Sequence, residues 1–397
     1  MQTVTISLTW MSLLFVLLTL CAMGYSLLCM LSGVSFLLNS GLRQNRSSAA
    51  ESAIPVSILK PLKGRDPQMY ESFRSHCLQE YPEFEIIFGV DSADDEAAPL
   101  VEQLRREFPQ QQIRLVVCGK KLGANGKVSS IVQMLEHARY GHILINDGDI
   151  RVSSGYLSQV MANFSAANAR SEKPVGMVTC LYRAVAGRTL WSKVEALAVA
   201  ADFIPGALTA RFIERRVGFG LGSTLAVDRE ALKAIGGMEP LVDHLADDYE
   251  LANRMVKTGY RVELPRVVVE TFLPNYNFSQ YFQHQLRWGR TVRSSRPGGY
   301  VGLVVTFGLL WSALAVMAAD GTFWSWWLLG LVVVLRMLVL GVSAGAVLRD
   351  GSALRNFWLL PLVDLFSPVV WLCSVFGTKI VWRGEEFVLE KGKLRAQ

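Results

Sequence analysis

The sequence predicts a membrane-anchored α/β protein, in which one globular domain lies between long apolar segments. Residues 8–38 contain no charged side chain, and further apolar runs cover 300–319, 323–348 and 357–376. Each run reaches the roughly 20 residues that a helix needs to cross a bilayer. The residues between the first two runs have an ordinary soluble composition, with strand-like and helix-like patterns in alternation. A hydrophobic fraction of 51% over the 397 residues agrees with this division.

The first segment, residues 1–40, is predicted to be a retained transmembrane anchor. It lacks a basic stretch before the apolar run, and the run is longer than the 7–15 residues usual in a signal peptide. Residues 41–53 form a short polar linker that contains Arg43 and Arg46. Because basic residues follow the anchor and none precedes it, the positive-inside rule places the domain in the cytoplasm.

The C-terminal part, residues 297–378, is predicted to hold two membrane spans and one further segment. Pro361, Asp364 and Pro368 interrupt this last apolar segment, and such residues are tolerated where a segment is re-entrant or lies at the surface. We therefore expect three spans in all, plus a re-entrant or surface-lying piece. Residues 379–397 are then expected to be a basic cytoplasmic tail.

The globular domain, residues 54–296, reads as a series of strands and helices. Strands are predicted in "PVSILK", "FEIIFGV", "IRLVVC", "HILIND" and "VGMVTC", and helices in "DPQMYESFRSHCLQE", "AAPLVEQLRREF" and "KVSSIVQMLEHARY". This alternation indicates βαβ units and a largely parallel sheet covered on both faces. Ligands of such sheets bind at the carboxyl ends of the strands, so polar residues that directly follow strands are the candidates for a site.

Acidic residues occupy three such places. They are Asp91, Asp94 and Asp95 after the second strand, Asp147 and Asp149 after the fourth, and Asp247 and Asp248 at the start of a further predicted helix. An Asp-x-Asp pair after a buried strand can share the oxygen positions of Mg²⁺ or Mn²⁺ with a diphosphate. Acidic residues also end strands and favour helix N-termini for structural reasons, so this pattern alone leaves both interpretations open.

Two other stretches carry chemistry. "CGKKLGANGKVSS" places Lys127 and several glycines before a helix, which is typical of a phosphate cradle or of a solvated basic loop, and it does not match an ATPase P-loop. "LPNYNFSQYFQHQLRW" contains aromatic side chains that either line a lipid entrance or pack the domain against its own membrane helices. These are Phe272, Tyr276, Phe278, Tyr281 and Phe282.

Six motifs in order resemble the signature of the ceramide glucosyltransferase family, a group of membrane glycosyltransferases of the family 21 type that has bacterial members and close relatives acting on hopanoids. They are "KPLKGRD", "GVDSADDEA", "KKLGANGKVSS", "NDGDIRV", "ADDYELA" and "HQLRW". The resemblance covers the domain and the terminal membrane segments. It implies a Rossmann-like GT-A fold, with an interfacial helix at 279–296.

The resemblance also implies roles for particular residues. Asp147 and Asp149 would bind the divalent cation, Mg²⁺ or Mn²⁺, and Asp248 would be the general base, with Asp247 beside it. Arg287 and Trp288 match the Arg-Trp pair of the last motif, whereas His284 stands where the family has Gln or Arg. The residues expected to bind the UDP-sugar are Lys60, one of Asp91, Asp94 and Asp95, Lys127, Asp147, His284 and Arg287.

The activity that the resemblance implies is the transfer of a sugar, glucose in this family, from a UDP-sugar to a hydroxyl of a membrane lipid such as ceramide, with inversion at the anomeric carbon. A bacterial inner membrane, with the domain in the cytoplasm, is the expected location. The alternatives are a hopanoid or other lipid (N-acetyl)glucosaminyltransferase, a processive polysaccharide synthase, and a receptor without activity. Three further arginines after Trp288 are expected to face lipid phosphates. They are Arg290, Arg293 and Arg296.

Overall fold

The computed structural model of the protein describes residues 10–44, 54–168, 173–382 and 385–396. Most of the predicted linker, including Arg46, lies outside these residues. The N-terminal helix α1 runs from Trp10 to Gln44, so it extends past the predicted end of the anchor at residue 40.

The globular domain contains ten strands and nine helices among the described residues. The strands are β1 Val56–Leu62, β2 Phe84–Val90, β3 Ile113–Val117, β4 His142–Ile145, β5 Ile150–Arg151, β6 Val175–Thr179, β7 Leu181–Val185, β8 Leu225–Asp228, β9 Arg261–Glu263 and β10 Val268–Phe272. The helices are α2 Met69–Cys77, α3 Ala98–Glu107, α4 Gly126–Leu135, α5 Tyr156–Asn168, α6 Leu190–Ala198, α7 Ile204–Glu214, α8 Arg229–Ala234, α9 Asp247–Lys257 and α10 Phe278–Ser295.

Seven of these strands form the central sheet, in the order β3-β2-β1-β4-β8-β6-β9. Strands β1 to β4 run parallel to one another, as the βαβ pattern predicts. Strand β8, which sequence analysis did not identify, lies antiparallel between β4 and β6. The five predicted strands, the three predicted helices and the largely parallel sheet are confirmed. Every residue of β2 is buried, because helices cover such a sheet on both faces.

A smaller sheet, in the order β5-β10-β7, lies beside the central one. Strand β5 follows the Asp-x-Asp motif directly and pairs with β10. This pairing holds the loop after β4 against β10, which sets the position of Asp149.

Helices α6 and α7 are joined by a π-helical segment, Val199–Phe203. Together they form a continuous helix, Leu190–Glu214, that is long and apolar enough to cross a membrane but is 50% buried within the protein. It packs against α1, α10 and the last apolar helix. Sequence analysis did not identify this helix as a membrane span, because half of it is buried in the domain like an ordinary core helix.

The C-terminal apolar region contains five helices of different lengths among the described residues. They are α11 Pro297–Gly302, α12 Gly308–Ala318, α13 Phe323–Leu340, α14 Gly351–Arg355 and α15 Leu360–Val375. The first apolar run is bent by 49° near Phe307, between α11 with its 3-10 extension and α12. By length and composition the described residues hold four helices able to span a membrane, or five if the bent pair is one span.

The last apolar helix, α15, packs mainly along α10 and α6 of the domain. The strands that follow its carboxyl end dock on the domain, so they lie on the same side of the membrane as α10. The chain must therefore cross the membrane an even number of times between α10 and those strands. Two crossings, by the bent pair and by α13, satisfy this condition if α15 lies at the membrane surface. This packing favours the surface-lying alternative for residues 357–376, and the number of crossings stays a prediction.

The segment expected to be a basic tail is folded. It forms three antiparallel strands, β11 Lys379–Trp382, β12 Glu385–Glu390 and β13 Lys393–Ala396. The backbone N–H groups of Leu245 and Leu394 donate to the carbonyls of Gly392 and Asp243, at 3.1 and 2.7 Å. Leu245 is buried among apolar side chains of the three strands. The expected tail therefore forms a sheet of its own, because alternating apolar residues give these strands a face to bury, and its cytoplasmic location stays a prediction.

Candidate active site

One large cavity opens at the carboxyl ends of β2 and β4 and holds most of the predicted site residues. It has a volume of about 1730 Å³. The predicted residues that line it are Asp91, Lys127, Asp147, Asp149, Asp247, Asp248, His284, Arg287 and Trp288. They come from the loops after two parallel strands and from α4, α9 and α10, so the fold brings together residues that are up to about 200 positions apart in the chain.

Lys127 lies at the centre of the acidic groups. Its Nζ is 2.7 Å from Asp147 Oδ1 and 3.9 Å from Asp247 Oδ2. Burial alone would lower the pKa of Lys127, but the neighbouring carboxylates Asp147 and Asp247 raise it above its ordinary value. The ammonium group therefore stays charged and partly neutralises the two carboxylates.

Asn125 fixes the start of α4 and thereby the position of Lys127. Its Oδ1 accepts from the backbone N–H of Val128 at 3.1 Å, as an N-cap does. Its Nδ2 donates to the carbonyl of His244 at 2.7 Å and lies 3.4 Å from Asp247 Oδ1. One side chain thus joins the "GANGK" loop to the loop before α9, which explains why the two motifs meet.

Asp248 faces the cavity from the first turn of α9. Burial, followed by the charge of the neighbouring Asp247, raises the pKa of Asp248 to about 7. A Cβ atom placed on Gly222 would lie 3.3 Å from Asp248 Oδ2, 3.6 Å from Lys127 Nζ and 3.7 Å from Asp147 Oδ2. The three charged groups therefore converge on one small space that a glycine leaves open.

Asp247, beside Asp248, is only 7% exposed. Burial raises its pKa, while the charge of Lys127 opposes this rise. Its Oδ2 is buried without a hydrogen-bond partner among the described residues. This oxygen is therefore an open hydrogen-bond acceptor in a residue that lines the cavity.

Asp149 and Lys60 hold the Asp-x-Asp loop from two sides. Asp149 Oδ2 accepts from Thr271 Oγ1 of β10. Burial, with a further contribution from Asp147, raises the pKa of Asp149 to about 6. Lys60 is fully buried in β1, where its Nζ donates to the backbone carbonyl of Asp147 at 2.9 Å. Burial lowers the pKa of Lys60 to about 7, although the negative charges of Asp149 and Asp147 act to raise it.

Lys60 differs from the other predicted donor-binding residues in its placement. Its side chain does not line the cavity, because β1 is a central strand and the ammonium group lies beneath the loop. Lys60 supports the backbone of Asp147, and a direct contact with a bound donor stays a prediction.

The three aspartates after β2 have different surroundings. Asp91 lines the cavity, and its Oδ1 accepts from Ser130 Oγ at 3.2 Å. Asp95 accepts from the backbone N–H groups of Gly64 and Ala97, at distances between 2.8 and 3.2 Å. Asp94 is exposed and does not line the cavity. Asp91 is therefore the aspartate of this group that is placed to meet a ligand.

Helix α10 presents His284, Arg287 and Trp288 to the cavity from one face. Asn277 and Gln280 form a capping box at its start. His284 Nδ1 lies 2.9 Å from Glu195 Oε1 of α6, although the ring is not oriented for a hydrogen bond to it. The ring of Tyr276 stacks on His284 at 5.6 Å between centroids. His284 is thus held by Glu195 and Tyr276, and Arg287 lines the cavity about one helical turn later.

The outer arginines bind within the chain, contrary to the expectation that they face lipid phosphates. Arg290 donates to the carbonyls of Phe376 and Lys379, and Arg293 donates to the carbonyls of Ser374, Val375 and Gly377. Arg296 pairs with Glu214 of α7. The last carbonyls of a helix lack partners inside it, so Arg293 satisfies the end of α15. Sequence spacing could not reveal this use, because α15 is about 80 residues away.

Several residues that line the cavity were not predicted from the sequence. Asp66 and Lys63 come from the loop after β1, and Glu385 comes from the C-terminal strands. Lys63 Nζ lies 3.0 Å from Glu385 Oε1 and 4.0 Å from Asp91 Oδ2. The motif "KPLKGRD" and the alternating pattern of "EEFVLE" were available signals, but neither one shows that these segments meet.

The predicted aromatic residues also divide into two groups. Phe272, Tyr276 and Tyr281 line the cavity. Phe278 and Phe282 contact each other, and Phe278 also packs on Trp191 and on Phe366 of α15. Part of the aromatic stretch thus lines the cavity and part packs against α15, and the lipid entrance stays a prediction.

The same cavity continues from the acidic groups to the membrane helices. Its lining includes Tyr25 and Cys29 of α1, Phe307 before α12, and Arg336 of α13. Trp288 lies between the two parts, with its ring 5.2 Å from that of Phe203. The charged site and the apolar helices thus share one continuous space.

The site carries more negative than positive charge. Lys127 lies within 3.9 Å of two carboxylates, Asp147 and Asp247, and the described residues contain no group of three or more His, Cys, Asp or Glu side chains arranged to hold a metal by themselves. Two carboxylates with open positions suit a hard cation that takes its other ligands from a bound diphosphate. The unsatisfied oxygen of Asp247 and the charge excess agree with such a cation.

Comparison with known proteins gives consistent relatives. The chain is 23% identical over 352 residues to ceramide glucosyltransferase 1 of Caenorhabditis elegans, covering 85% of this chain and 72% of that protein. It is 24% identical over 251 residues to ceramide glucosyltransferase 3 of the same organism, covering 63% and 53%. A ceramide glucosyltransferase of Komagataella phaffii is 34% identical over 122 residues, covering 29% and 24%. The last two matches therefore span about half and a quarter of those proteins.

Solved structures of similar shape are more distant. The mannosyltransferase PcManGT from Pyrobaculum calidifontis, in complex with GDP-Man and Mn²⁺, is 17% identical, with a TM-score of 0.46 and coverage of 90% of this chain and 97% of that one. TarS 1-349 of S. aureus, in complex with UDP, is 14% identical, with a TM-score of 0.40 and coverage of 86% and 98%.

A family model describes almost the whole chain. The model of glycosyl transferase family 21 matches residues 14–395, which include both the globular domain and the apolar segments on either side. The resemblance predicted from the six motifs is confirmed. The chain belongs to glycosyl transferase family 21.

Proposed function

We propose that this glycosyltransferase, whose domain has the GT-A fold, moves a sugar from a UDP-sugar to a hydroxyl of a membrane lipid with inversion at the anomeric carbon. Glucose and ceramide are the proposed pair, because two relatives that match more than half of this chain are named for them. The observation that carries the proposal is the continuous cavity between the carboxylates and the membrane helices. It gives a lipid hydroxyl a protected path to a charged donor.

The donor is proposed to bind at the carboxyl ends of β1, β2 and β4. Asp91 lies at the end of β2, where it is placed to accept hydrogen bonds from a nucleoside. Lys127 pairs with Asp147, and Arg287 lines the same cavity from α10. Both side chains are positively charged, so they would stabilise the negative charge that gathers on the departing UDP.

A divalent cation, Mg²⁺ or Mn²⁺, is proposed to bind Asp147 and Asp149. When bound, it would neutralise diphosphate charge and so stabilise the leaving group. Lys127 already occupies Asp147 Oδ1, which leaves Oδ2 directed toward the open space at Gly222. Thr271 holds the carboxylate of Asp149 in place from the other side.

Asp248 is proposed as the general base. In a single displacement, the lipid oxygen forms a bond to the anomeric carbon as the bond to UDP breaks on the opposite face, and the hydroxyl proton passes to Asp248. A base works best when its pKa lies near the operating pH, and burial with Asp247 raises the pKa of Asp248 to about 7. Trp288 and Phe203 lie where the acceptor would pass from the membrane to this carboxylate.

The proposal is tested by sugar transfer with the purified full chain in detergent. UDP-[¹⁴C]glucose, Mn²⁺ and ceramide should give one labelled glycolipid, whose β-anomeric linkage, read by NMR, would establish inversion of the α-linked donor. Asp147→Asn should remove transfer, whereas Asp94→Asn, a matched change at an exposed aspartate outside the cavity, should not. Retention of configuration, or transfer that is equally affected by both variants, would contradict the proposed site.

The acceptor and the length of the product decide between the alternatives. Parallel reactions with a hopanoid polyol as acceptor, and with UDP-N-acetylglucosamine as donor, test the alternative of a hopanoid or other lipid (N-acetyl)glucosaminyltransferase. Mass spectrometry of the product addresses a polysaccharide synthase, because that enzyme adds many sugars to one chain. A product with one sugar on ceramide supports the proposal, and a polymer or a preference for the hopanoid would replace it.

A further inference from the structure

A second polar group lies in the same cavity, where the domain meets the membrane helices. Arg336 of α13 donates through Nη2 to Asp202 at 2.5 Å and to Asp364 of α15 at 2.7 Å. Its Nη1 donates to the carbonyl of Ala201 at 2.7 Å. All three charged residues line the cavity, so we name them the membrane-side triad.

The triad differs from an ion pair that only fastens helices together. Removing charged groups from water is costly, and structural pairs inside a protein are usually enclosed by packing. Here the side chain of Asp202 is 39% exposed, and this exposed part faces the cavity. The charge is thus presented to whatever fills that space.

Asp202 also keeps accepting capacity. Ser367 Oγ lies 3.5 Å from Asp202 Oδ2 but 2.8 Å from the carbonyl of Val363. A hydroxyl can donate only one hydrogen bond, and the nearer carbonyl of Val363 accepts it. Arg336 is bound to Oδ1, so Oδ2 can accept a hydrogen bond from a ligand.

The position of Asp202 connects this oxygen to the active site. Asp202 lies in the π-helical segment Val199–Phe203, a type of distortion that is frequent at functional sites. The next residue, Phe203, contacts Trp288 at 5.2 Å between ring centroids. An acceptor that passes Trp288 toward Asp248 would therefore extend past Asp202 on the membrane side.

We propose that Asp202, held by Arg336, binds a hydrogen-bond donor of the acceptor lipid that is separate from the reacting hydroxyl. The donor is a second hydroxyl or an amide N–H, since a carboxylate held by an arginine accepts from both. This inference rests on the proposed transfer to a lipid and specifies its acceptor class. Lipids with several polar groups near the head are selected over simple long-chain alcohols.

The test compares two lipids that share a primary hydroxyl. C18 ceramide carries a secondary hydroxyl and an amide N–H, and 1-octadecanol carries neither. Binding of each to the full chain in detergent micelles is measured by tryptophan fluorescence, which Trp288 in the cavity makes sensitive. The wild-type protein should bind ceramide about tenfold more tightly, the order expected for a hydrogen bond to a charged group.

Asp202→Asn tests whether this side chain accepts a hydrogen bond from the lipid. Arg336 has only donors, so the amide oxygen would turn toward it and the NH₂ group would face the cavity. A donor would then oppose the donor of the lipid, and the preference for ceramide should fall below about twofold. Asp350→Asn is the matched control, since Asp350 is a buried aspartate that caps α14 and does not line the cavity. It should keep the tenfold preference.

A second measurement does not depend on folding of a variant. Ceramide with an N-methylated amide and without its secondary hydroxyl should bind the wild-type protein like 1-octadecanol. An unchanged preference with this lipid, an unchanged preference in Asp202→Asn, or an equal loss in Asp350→Asn would overturn the inference. Sugar transfer in the same preparations separates the two proposals, because absence of transfer to every lipid would refute the proposed function instead.

Discussion

Replacement of Asp248 by Asn tests both the proposed chemistry and its electrostatic basis. The amide keeps the shape of the side chain but cannot take a proton at neutral pH. Loss of a general base typically lowers kcat by a factor of about 10² to 10⁴. In the wild-type protein, a pKa of about 7 means that roughly one tenth of the base is ionised at about pH 6. Transfer by the wild type should therefore rise from pH 6 and level off above pH 8.

The same change should affect stability in a pH-dependent way. The folded-state pKa of Asp248 is about 7 and its ordinary value is 3.8, so the folded protein holds this proton more tightly than the unfolded chain. Stability consequently falls as pH rises from about 4 to about 7. At about 1.4 kcal/mol per pKa unit, the charged carboxylate costs on the order of 4 kcal/mol above pH 7. Asp248→Asn removes this cost, since the amide has no charge.

The assay combines transfer of radiolabelled sugar with thermal unfolding in detergent, without metal or donor, at pH 5 and pH 8. We expect Asp248→Asn to be nearly inactive and to raise the unfolding temperature more at pH 8 than at pH 5. Asp94→Asn, which changes an exposed aspartate, serves as the control for detergent and pH effects. An active Asp248→Asn protein would refute the assignment of the base, and an equal temperature shift at both pH values would refute the electrostatic argument.

Three further predictions follow from the contacts in the structure. Arg287→Ala should lower kcat by about 10² to 10³ at low and high salt alike, as loss of a transition-state donor does, and a salt-dependent loss measured by kinetics would contradict this role. Arg293→Ala leaves the carbonyls at the end of α15 unpaired, so it should lower the free energy of unfolding by about 1 to 3 kcal/mol. Binding of the protein to anionic vesicles should not change. Weaker vesicle binding at unchanged stability would instead support a contact between Arg293 and lipid phosphates. A chain that ends at Gly377 loses the three C-terminal strands and exposes Leu245, so its unfolding temperature and its affinity for UDP should both fall, which calorimetry can check against the full chain.

Much of the central sheet could be predicted from the sequence, because the signals are local. Strands β1 to β4 are short apolar runs separated by amphipathic helices, and this pattern requires a parallel sheet. The location of acidic residues at strand ends likewise places Asp91, Asp147 and Asp149 at one edge. Strand β8, which is four residues long, was not predicted, and its antiparallel place between β4 and β6 is set by the fold and not by the βαβ pattern.

The candidate site was only partly predictable. Lys60 and Asp91 belong to similar polar motifs, yet one is buried beneath the loop and the other faces the cavity. Lys60 lies inside a central strand, whereas Asp91 follows the end of one. An alternating pattern identifies the strand but does not show which of its side chains reach the cavity. His284 has a neighbour in Glu195 that lies 89 residues earlier in the chain, so its surroundings are equally absent from any local pattern.

The sequence by itself determined the α/β domain, its apolar flanks, the family and the acidic and Arg-Trp motifs, because periodicity, composition and ordered motifs are written along the chain. The tertiary structure alone decided that Arg290 and Arg293 bind the end of α15, that the C-terminal residues form a sheet against the domain, and that Asp202 meets Arg336 in the cavity. Each of these contacts joins residues that are about 80 or more positions apart. Their partners are set by how helices and strands pack in three dimensions, and no local pattern encodes that choice.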